Sequence, residues 1–219
     1  MATPKAGYFL KDGTKVPGTT TVIGRFKESG GLLQWAFKQG KEGKRHLYEE
    51  AEKAADIGTF AHSLVEASIK GEPAPAPPAG ADEAFVKAAQ SAFGAYLTWA
   101  ENFKVTITAQ EIQLVSERYR YGGTPDAVGI VGNALCLLDW KTSNAVYSDY
   151  LIQLAAYKNL WEENFPDQPI TGGCHLLRFA KEHGDFAHHY FPNLDEAWRQ
   201  FVLFREAYEI DKGLKKRAA

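Results

Sequence analysis

Cysteine is scarce in this chain of 219 residues: there are 2, Cys136 and Cys174, each inside an apolar run. So few thiols exclude a disulfide-stapled scaffold and cannot supply the four thiolates of an iron–sulfur cluster. Buried free thiols are the expectation. Long apolar runs are missing as well. None approaches the roughly 18 residues a membrane span needs, and no apolar signal segment opens the chain. Nor is there an excess of one charge, since 25 Lys and Arg stand against 27 Asp and Glu for a net −2. A polyanion cannot be held here by overall positive charge. It would have to meet a local basic patch or a bound cation. No internal repeat is present.

What is present is an ordinary globular composition, 45% hydrophobic, 24% charged and 13% aromatic, enough to bury a core in a single domain. Residues 7–24 predict a short hairpin around Asp12-Gly13 with threonine-rich flanks. Helices are expected over 31–40 and 43–55. Another is expected after Gly58, with Leu64, Ala67 and Ser68 on one side. The Pro/Ala stretch 71–82 predicts an extended, exposed loop. Phe85, Ala89, Ala92, Phe93, Tyr96 and Trp99 then recur at helical spacing.

After residue 105 the period changes. Residues 107–121, 124–131 and 134–142 predict three strands joined by tight turns. A helix follows, capped by Ser148 or Asp149 and ended before Pro166. Two strands around His183-Gly184-Asp185 and a closing helix complete an α/β (α+β) pattern, with a mixed central sheet flanked by helices.

One apolar stretch carries charges that a buried strand pair should not. Gly122–Ser143 holds Asp126, Asp139 and Lys141. Gly132-Asn133 suits a two-residue type II′ turn. That turn sets Val131 opposite Ala134, Val128 opposite Leu137, Asp126 opposite Asp139 and Thr124 opposite Lys141. Alternation puts the two aspartates and the lysine on one face with Val128, Ile130, Leu135 and Leu137. Ala127, Gly129, Cys136, Leu138 and Trp140 take the other. Both faces are apolar, so helices should cover both. Opposed carboxylates roughly 5 Å apart repel, which calls for a proton or a divalent cation between them. Oxygen ligands favour Mg²⁺ or Mn²⁺. Lys141 could orient or deprotonate a water, or meet developing negative charge. The plainer alternative is an Asp–Lys ion pair at a strand end.

These residues resemble a known pattern. Thr124-Pro125-Asp126 followed by Asp139-Trp140-Lys141 resembles the PD-(D/E)XK nuclease superfamily. With Gly58-Thr59-Phe60-Ala61-His62 upstream and Gln153-x-x-x-Tyr157 downstream, it resembles the RecB-type exonuclease branch of phage, recombination and CRISPR-adaptation nucleases. The stretches "VPGTTTVIG" and "GLLQWAFKQG" look like phage-encoded members. The resemblance covers roughly residues 16–181.

It implies a restriction-endonuclease-like core over 58–181, within one domain spanning 1–219. Residues 1–57 would then be an N-terminal hairpin and helical elaboration, and 182–219 the last strand and C-terminal helix. It further implies a divalent-metal-dependent DNA nuclease, an exonuclease, acting in phage, recombination or repair DNA processing. His62, Asp126, Asp139 and the Trp140 carbonyl would be metal ligands, and Asp126, Asp139 and Lys141 the catalytic groups. Glu111 would be a further acidic ligand, with Glu117 competing for that place. Gln153, Tyr157 and Thr124 would border the DNA. Single- or double-stranded DNA would be the partner, joined by a recombination or single-strand-binding protein, in the cytoplasm of a bacterium or a phage-infected host. The iron–sulfur cysteines of one CRISPR-related subgroup are missing.

Two rival functions stand beside this one: a structure-specific endonuclease on the same fold, and a catalytically silent nucleic-acid-binding module. Other signals have plain readings. Glu66 could make a zinc half-site with His62, but no second histidine motif joins it. His188 and His189 point to opposite faces and read, with His183, as surface. The basic run between Lys38 and Lys53 carries as many acids and reads as a solvated face. Trp35, Tyr48, Tyr96 and Trp99 are core candidates, though an exposed aromatic could stack on a base.

Overall fold

The apolar run after Gly123 does fold as a hairpin, and the remaining chain is arranged around it. The structure, a computed structural model, describes residues 7–27, 37–38, 40–41, 47–143, 145–179 and 186–218. In chain order the elements are β1 (Tyr8–Phe9), β2 (Lys15–Val16), α1 (Thr19–Phe26), α2 (Leu47–Lys70) and α3 (Glu83–Asn102). Next come β3 (Thr106–Gln110), β4 (Leu114–Ser116), β5 (Tyr121–Gly123), β6 (Ala127–Val131) and β7 (Ala134–Lys141). Then follow α4 (Ser148–Asn164), β8 (Cys174–Phe179), β9 (Phe186–Phe191) and α5 (Asp195–Ala218).

β6 and β7 pair antiparallel, with Val131 opposite Ala134 and Ala127 opposite Leu138, the register that the Gly-Asn turn predicts. Gly132 takes φ 65°, which the first central position of a type II′ turn requires. The hairpin sits inside a five-stranded sheet of order β3-β6-β7-β8-β9. Within this sheet the β7–β8 pair is parallel and the other described pairs are antiparallel, and α4 makes the crossover between β7 and β8.

Alternation along the hairpin builds two cores. Val128, Leu137 and Leu176 pack with α4, α1 and Phe201 of α5. Ala127, Cys136, Leu138, Trp140 and Leu177 pack with α2 and α3. Helices therefore cover both faces, as the doubly apolar hairpin demands. In the second core Trp99 is fully buried and meets Trp140 edge-on at 6.0 Å. Truncating such a side chain to alanine costs about 3–5 kcal/mol.

Local chemistry accounts for the helix ends. Asp82 caps α3 by accepting the Phe85 N–H at 2.7 Å, and Phe85, Ala89, Ala92, Tyr96 and Trp99 form its buried stripe. The expected cap of α4 is different. The N-cap is Tyr147, without a side-chain hydrogen bond, and the Ser148 hydroxyl instead accepts from Lys27 Nζ at 3.0 Å. Residues Ile152 to Tyr157 are all buried, because α4 is held between the sheet and α1 and α5.

Several sequence expectations change. Only residues 8–16 form the N-terminal hairpin; Thr19–Phe26 is helical. Burial of Thr19, Val22 and Ile23 at helical spacing outweighs the strand preference of β-branched residues. Gly58 does not begin a helix, since α2 runs straight through it, and Ser68 is exposed while Val65 is buried. The single strand expected over 107–121 breaks after Gln110, and β4 pairs with β5 as a separate two-stranded sheet. Most of the helix over 31–40, Trp35, the Tyr48 side chain, much of the basic run and the turn at His183-Gly184-Asp185 lie outside the described residues.

Candidate active site

The charges leave the apolar hairpin at its open end, and the last step differs from the expected pairing. The ladder stops at Ala127–Leu138, one pair short of the aspartates. There a side chain replaces the backbone: Asp126 Oδ2 accepts the Trp140 N–H at 2.8 Å. Thr124 is likewise outside the ladder. Its hydroxyl shares a 2.9 Å hydrogen bond with Tyr8 Oη, which β1 brings in from 116 positions away. Asp126 and Asp139 are buried at 2% and 1% exposure, on the face that carries Val128 and Leu137.

His62 arrives from α2. A Cβ on Gly58 would lie 2.4 Å from Thr142 Oγ1, so any larger residue would force the Thr142 side chain or α2 to shift near the end of β7. One turn further along, His62 Nδ1 stands 3.9 Å from Asp126 Oδ1. Burial drives the imidazole's pKa down to about 3, with the Lys141 charge acting the same way and the Trp140 carbonyl opposing. The ring is therefore neutral, and its contact with Asp126 is not an ion pair. A neutral imidazole is the form that ligates metals.

Glu111 joins from the break after β3. It holds a left-handed backbone, φ 49°, which costs a non-glycine residue about 1–2 kcal/mol. Its N–H donates to the Asp126 carbonyl at 3.2 Å. Ligand atoms of His62, Glu111 and Asp126 all lie within 4.8 Å of one another. Glu117, the competing acid, accepts the Lys11 N–H at 2.9 Å instead. Glu66 is engaged by Lys70 at 2.5 Å and is not in the group.

Asp139 also stands outside that group. It pairs with Lys141, whose side chain is mostly buried and whose ammonium lies 5.3 Å from the Tyr150 ring centroid. Lys141 is thus embedded in the site, not at an open rim. Burial lowers its pKa, but Asp139 and Asp126 more than compensate and the net shift is upward, so it stays charged. Burial raises all three carboxyl pKa values, that of Glu111 to about 7 with help from Asp126.

Among the described residues, Asp126 Oδ1, Asp139 Oδ1 and His62 Nδ1 are buried without a hydrogen-bond partner. Orphaned acceptors of this kind are costly. The carboxyls of Asp126 and Glu111 with a neutral imidazole, their ligand atoms within 4.8 Å of one another, suit a divalent cation.

Gln153 and Tyr157, one turn apart on α4, are both buried and joined by a 2.9 Å hydrogen bond. Burial raises the Tyr157 pKa, Gln153 opposes that shift, and the charges of Asp139 and Asp126 add to it. A Cβ on Gly123 would fall 2.6 Å from the Tyr157 ring and 2.8 Å from Thr19 Oγ1, so the site is closely walled there. Tyr8 and Tyr150 were not legible as site residues. Both depend on contacts that no local pattern announces.

His188 corrects an expectation. It is partly buried, edge-on to Phe103 at 4.7 Å and to Trp99 at 5.6 Å, with Nε2 2.7 Å from His175 Nδ1. His189 does take the opposite face, paired with Leu176.

No protein-family model and no curated protein matches this sequence. Among solved structures, the chain is similar to a candidate exonuclease from Eubacterium rectale, with TM-score 0.46 and 14% identity over 69% of this chain. The match spans 64% of that protein's own length. It is also similar to an alkaline exonuclease from Laribacter hongkongensis, with TM-score 0.42 and 14% identity over 77% of this chain and 91% of that one.

Proposed function

We propose that this chain is a divalent-metal-dependent deoxyribonuclease, and an exonuclease, serving phage, recombination or repair DNA processing. The observation that carries the reading is the convergence of His62, Glu111 and Asp126 within 4.8 Å, beside a buried Asp139–Lys141 pair. Mg²⁺ or Mn²⁺ held there would supply Lewis-acid chemistry to a phosphodiester and acidify a water.

The chain's own groups divide the remaining work. Asp126 holds the end of the hairpin through the Trp140 N–H while its second oxygen stays free to ligate. His62 presents a neutral nitrogen. Lys141, charged and partly desolvated, is placed to meet negative charge developing on phosphate oxygens. That favours an electrostatic role over proton abstraction, because a base must first be deprotonated. Asp139 keeps the ammonium in place, and Tyr157 with Gln153 backs the carboxylates.

The test is hydrolysis of end-labelled single- and double-stranded DNA with Mg²⁺, Mn²⁺ or EDTA, alongside closed circles. Metal-dependent release of mononucleotides from ends, with circles left intact, is expected. Lys141→Ala, checked for folding by its melting curve, should lose most of the activity. Equal degradation by both proteins, or degradation undiminished in EDTA, would refute the reading. Cutting of circles would move it to an endonuclease.

A further inference from the structure

The chain's net charge is −2, yet one region concentrates positive charge. A cleft of about 690 Å³ opens between α1 and the last turns of α5. Arg25, Lys212, Lys215 and Lys216 line it, against the single carboxylate of Asp211. Asp211 is shared: Arg25 reaches it at 2.7 Å and Lys215 at 3.6 Å. Four cations around one anion leave a local surplus of three. The three lysines are exposed, and residues three and four apart on a helix share a face.

Neutral donors complete the lining. Thr20, Thr21 and Tyr208 contribute hydroxyls to it. At Gly24 an added Cβ would meet nothing within 4 Å, so that wall stands open. Ammonium groups with hydroxyl donors between them match phosphate oxygens, which attract charge and accept hydrogen bonds.

Position points the same way. α1 begins at the candidate site, where Thr19 Oγ1 donates to the Gly122 carbonyl at 3.0 Å. Its 8 residues carry the chain about 12 Å outward, past Thr20, Thr21 and Arg25. At about 3.4 Å of duplex axis per phosphate on each strand, a strand crossing the carboxylates and following α1 would meet the cleft about three or four phosphates later. We propose that the α1–α5 cleft binds the phosphate backbone of nucleic acid, anchoring the strand whose scissile bond lies at Asp126 and Lys141. The anchoring role rests on the nuclease reading; the binding itself does not.

The test separates the two. Binding of a fluorescein-labelled 20-mer, single- and double-stranded, is followed by anisotropy in EDTA as salt is varied. Lys212→Gln/Lys215→Gln/Lys216→Gln is compared with a charge-matched control at exposed lysines elsewhere, Lys11→Gln/Lys87→Gln/Lys104→Gln. The cleft variant should bind about 10- to 100-fold more weakly, and its log–log salt slope should flatten by about 2 on single strands and about 2.7 on duplex, as expected for three lost phosphate contacts. The control should stay within about threefold of wild type. Hydrolysis of bis(4-nitrophenyl) phosphate with Mn²⁺ should be unchanged in the cleft variant, because so small an ester does not reach the cleft. Equal weakening in both triples, or none in the cleft variant, would overturn the proposal, as would a wild-type protein that does not bind the 20-mers. Weakened binding by the cleft variant of a wild type that hydrolyses nothing would sustain the cleft and refute the nuclease.

Discussion

Two histidine neighbourhoods, one on the sheet and one on a helix against it, show opposite solutions to burying an imidazole. His175 and His188 face each other across β8 and β9, Nδ1 to Nε2 at 2.7 Å, and stack at 5.0 Å against an aromatic wall of Trp99 and Phe103. One ring donates and the other accepts, so two neutral rings satisfy one another. His62 is buried beside carboxyl groups, and its Nδ1 has no hydrogen-bond partner among the described residues. The first cluster is closed chemistry and belongs to the core. The second leaves an imidazole nitrogen and an Asp126 oxygen unmet 3.9 Å apart, and an oxygen of Asp139 unmet as well.

The sharpest way to break that contrast is to remove charge from the unmet cluster. Asp126→Asn can keep the acceptor for the Trp140 N–H while losing a ligand charge. Hydrolysis should fall by about 10³-fold, measured as nucleotide release, with the EDTA melting temperature unchanged or raised because a buried carboxylate is gone. Lys141→Ala should come next, costing about 10²- to 10³-fold in kcat if it meets transition-state charge. Loss appearing only in KM would assign it to ground-state binding instead.

Metal should then distinguish the clusters without any chemistry. Mn²⁺ at about 100 times its Kd should stabilise the fold by about 2.7 kcal/mol in thermal melts. Glu111→Gln should lose most of that gain, whereas His175→Leu should keep it.

Acid tests the closed cluster. Burial first, then the His188 charge, lowers the His175 pKa to about 4, below the 6.5 of an exposed imidazole. Between those values the unfolded chain binds more protons than the folded one. The contribution to stability is whole above about pH 6.5 and is lost progressively as pH falls toward 4. Removing His175 should flatten the melting-temperature slope in that window, and an unchanged slope would argue against the neutral pair. The smallest effect belongs to His188→Ala, about 0.5–1.5 kcal/mol of lost ring contact by denaturant titration.

How much of this could be read from the chain follows the range of the forces involved. The β6–β7 register was legible because a two-residue turn and a period of two leave one solution, and with it came the shared face of Asp126 and Asp139. His62, Gln153 and Tyr157 were legible as motif members. α1 was not, because its β-branched run favours a strand until Val22 and Ile23 find a buried face. The ligand geometry of Glu111 depends on a left-handed kink that no composition signals. Tyr8 depends on a contact 116 positions away, and the basic cleft on an Arg25–Asp211 pair 186 apart.

One void in the chain acts as a gauge. At position 58 a single hydrogen stands where every other residue would carry a carbon, 2.4 Å from the Thr142 hydroxyl and four positions before the imidazole. Alanine would strengthen an isolated α2 by about 1 kcal/mol through helix propensity. Here it would force the Thr142 side chain aside or wedge the helix off β7 and carry His62 away with it, so a change that firms the scaffold puts its aim at risk.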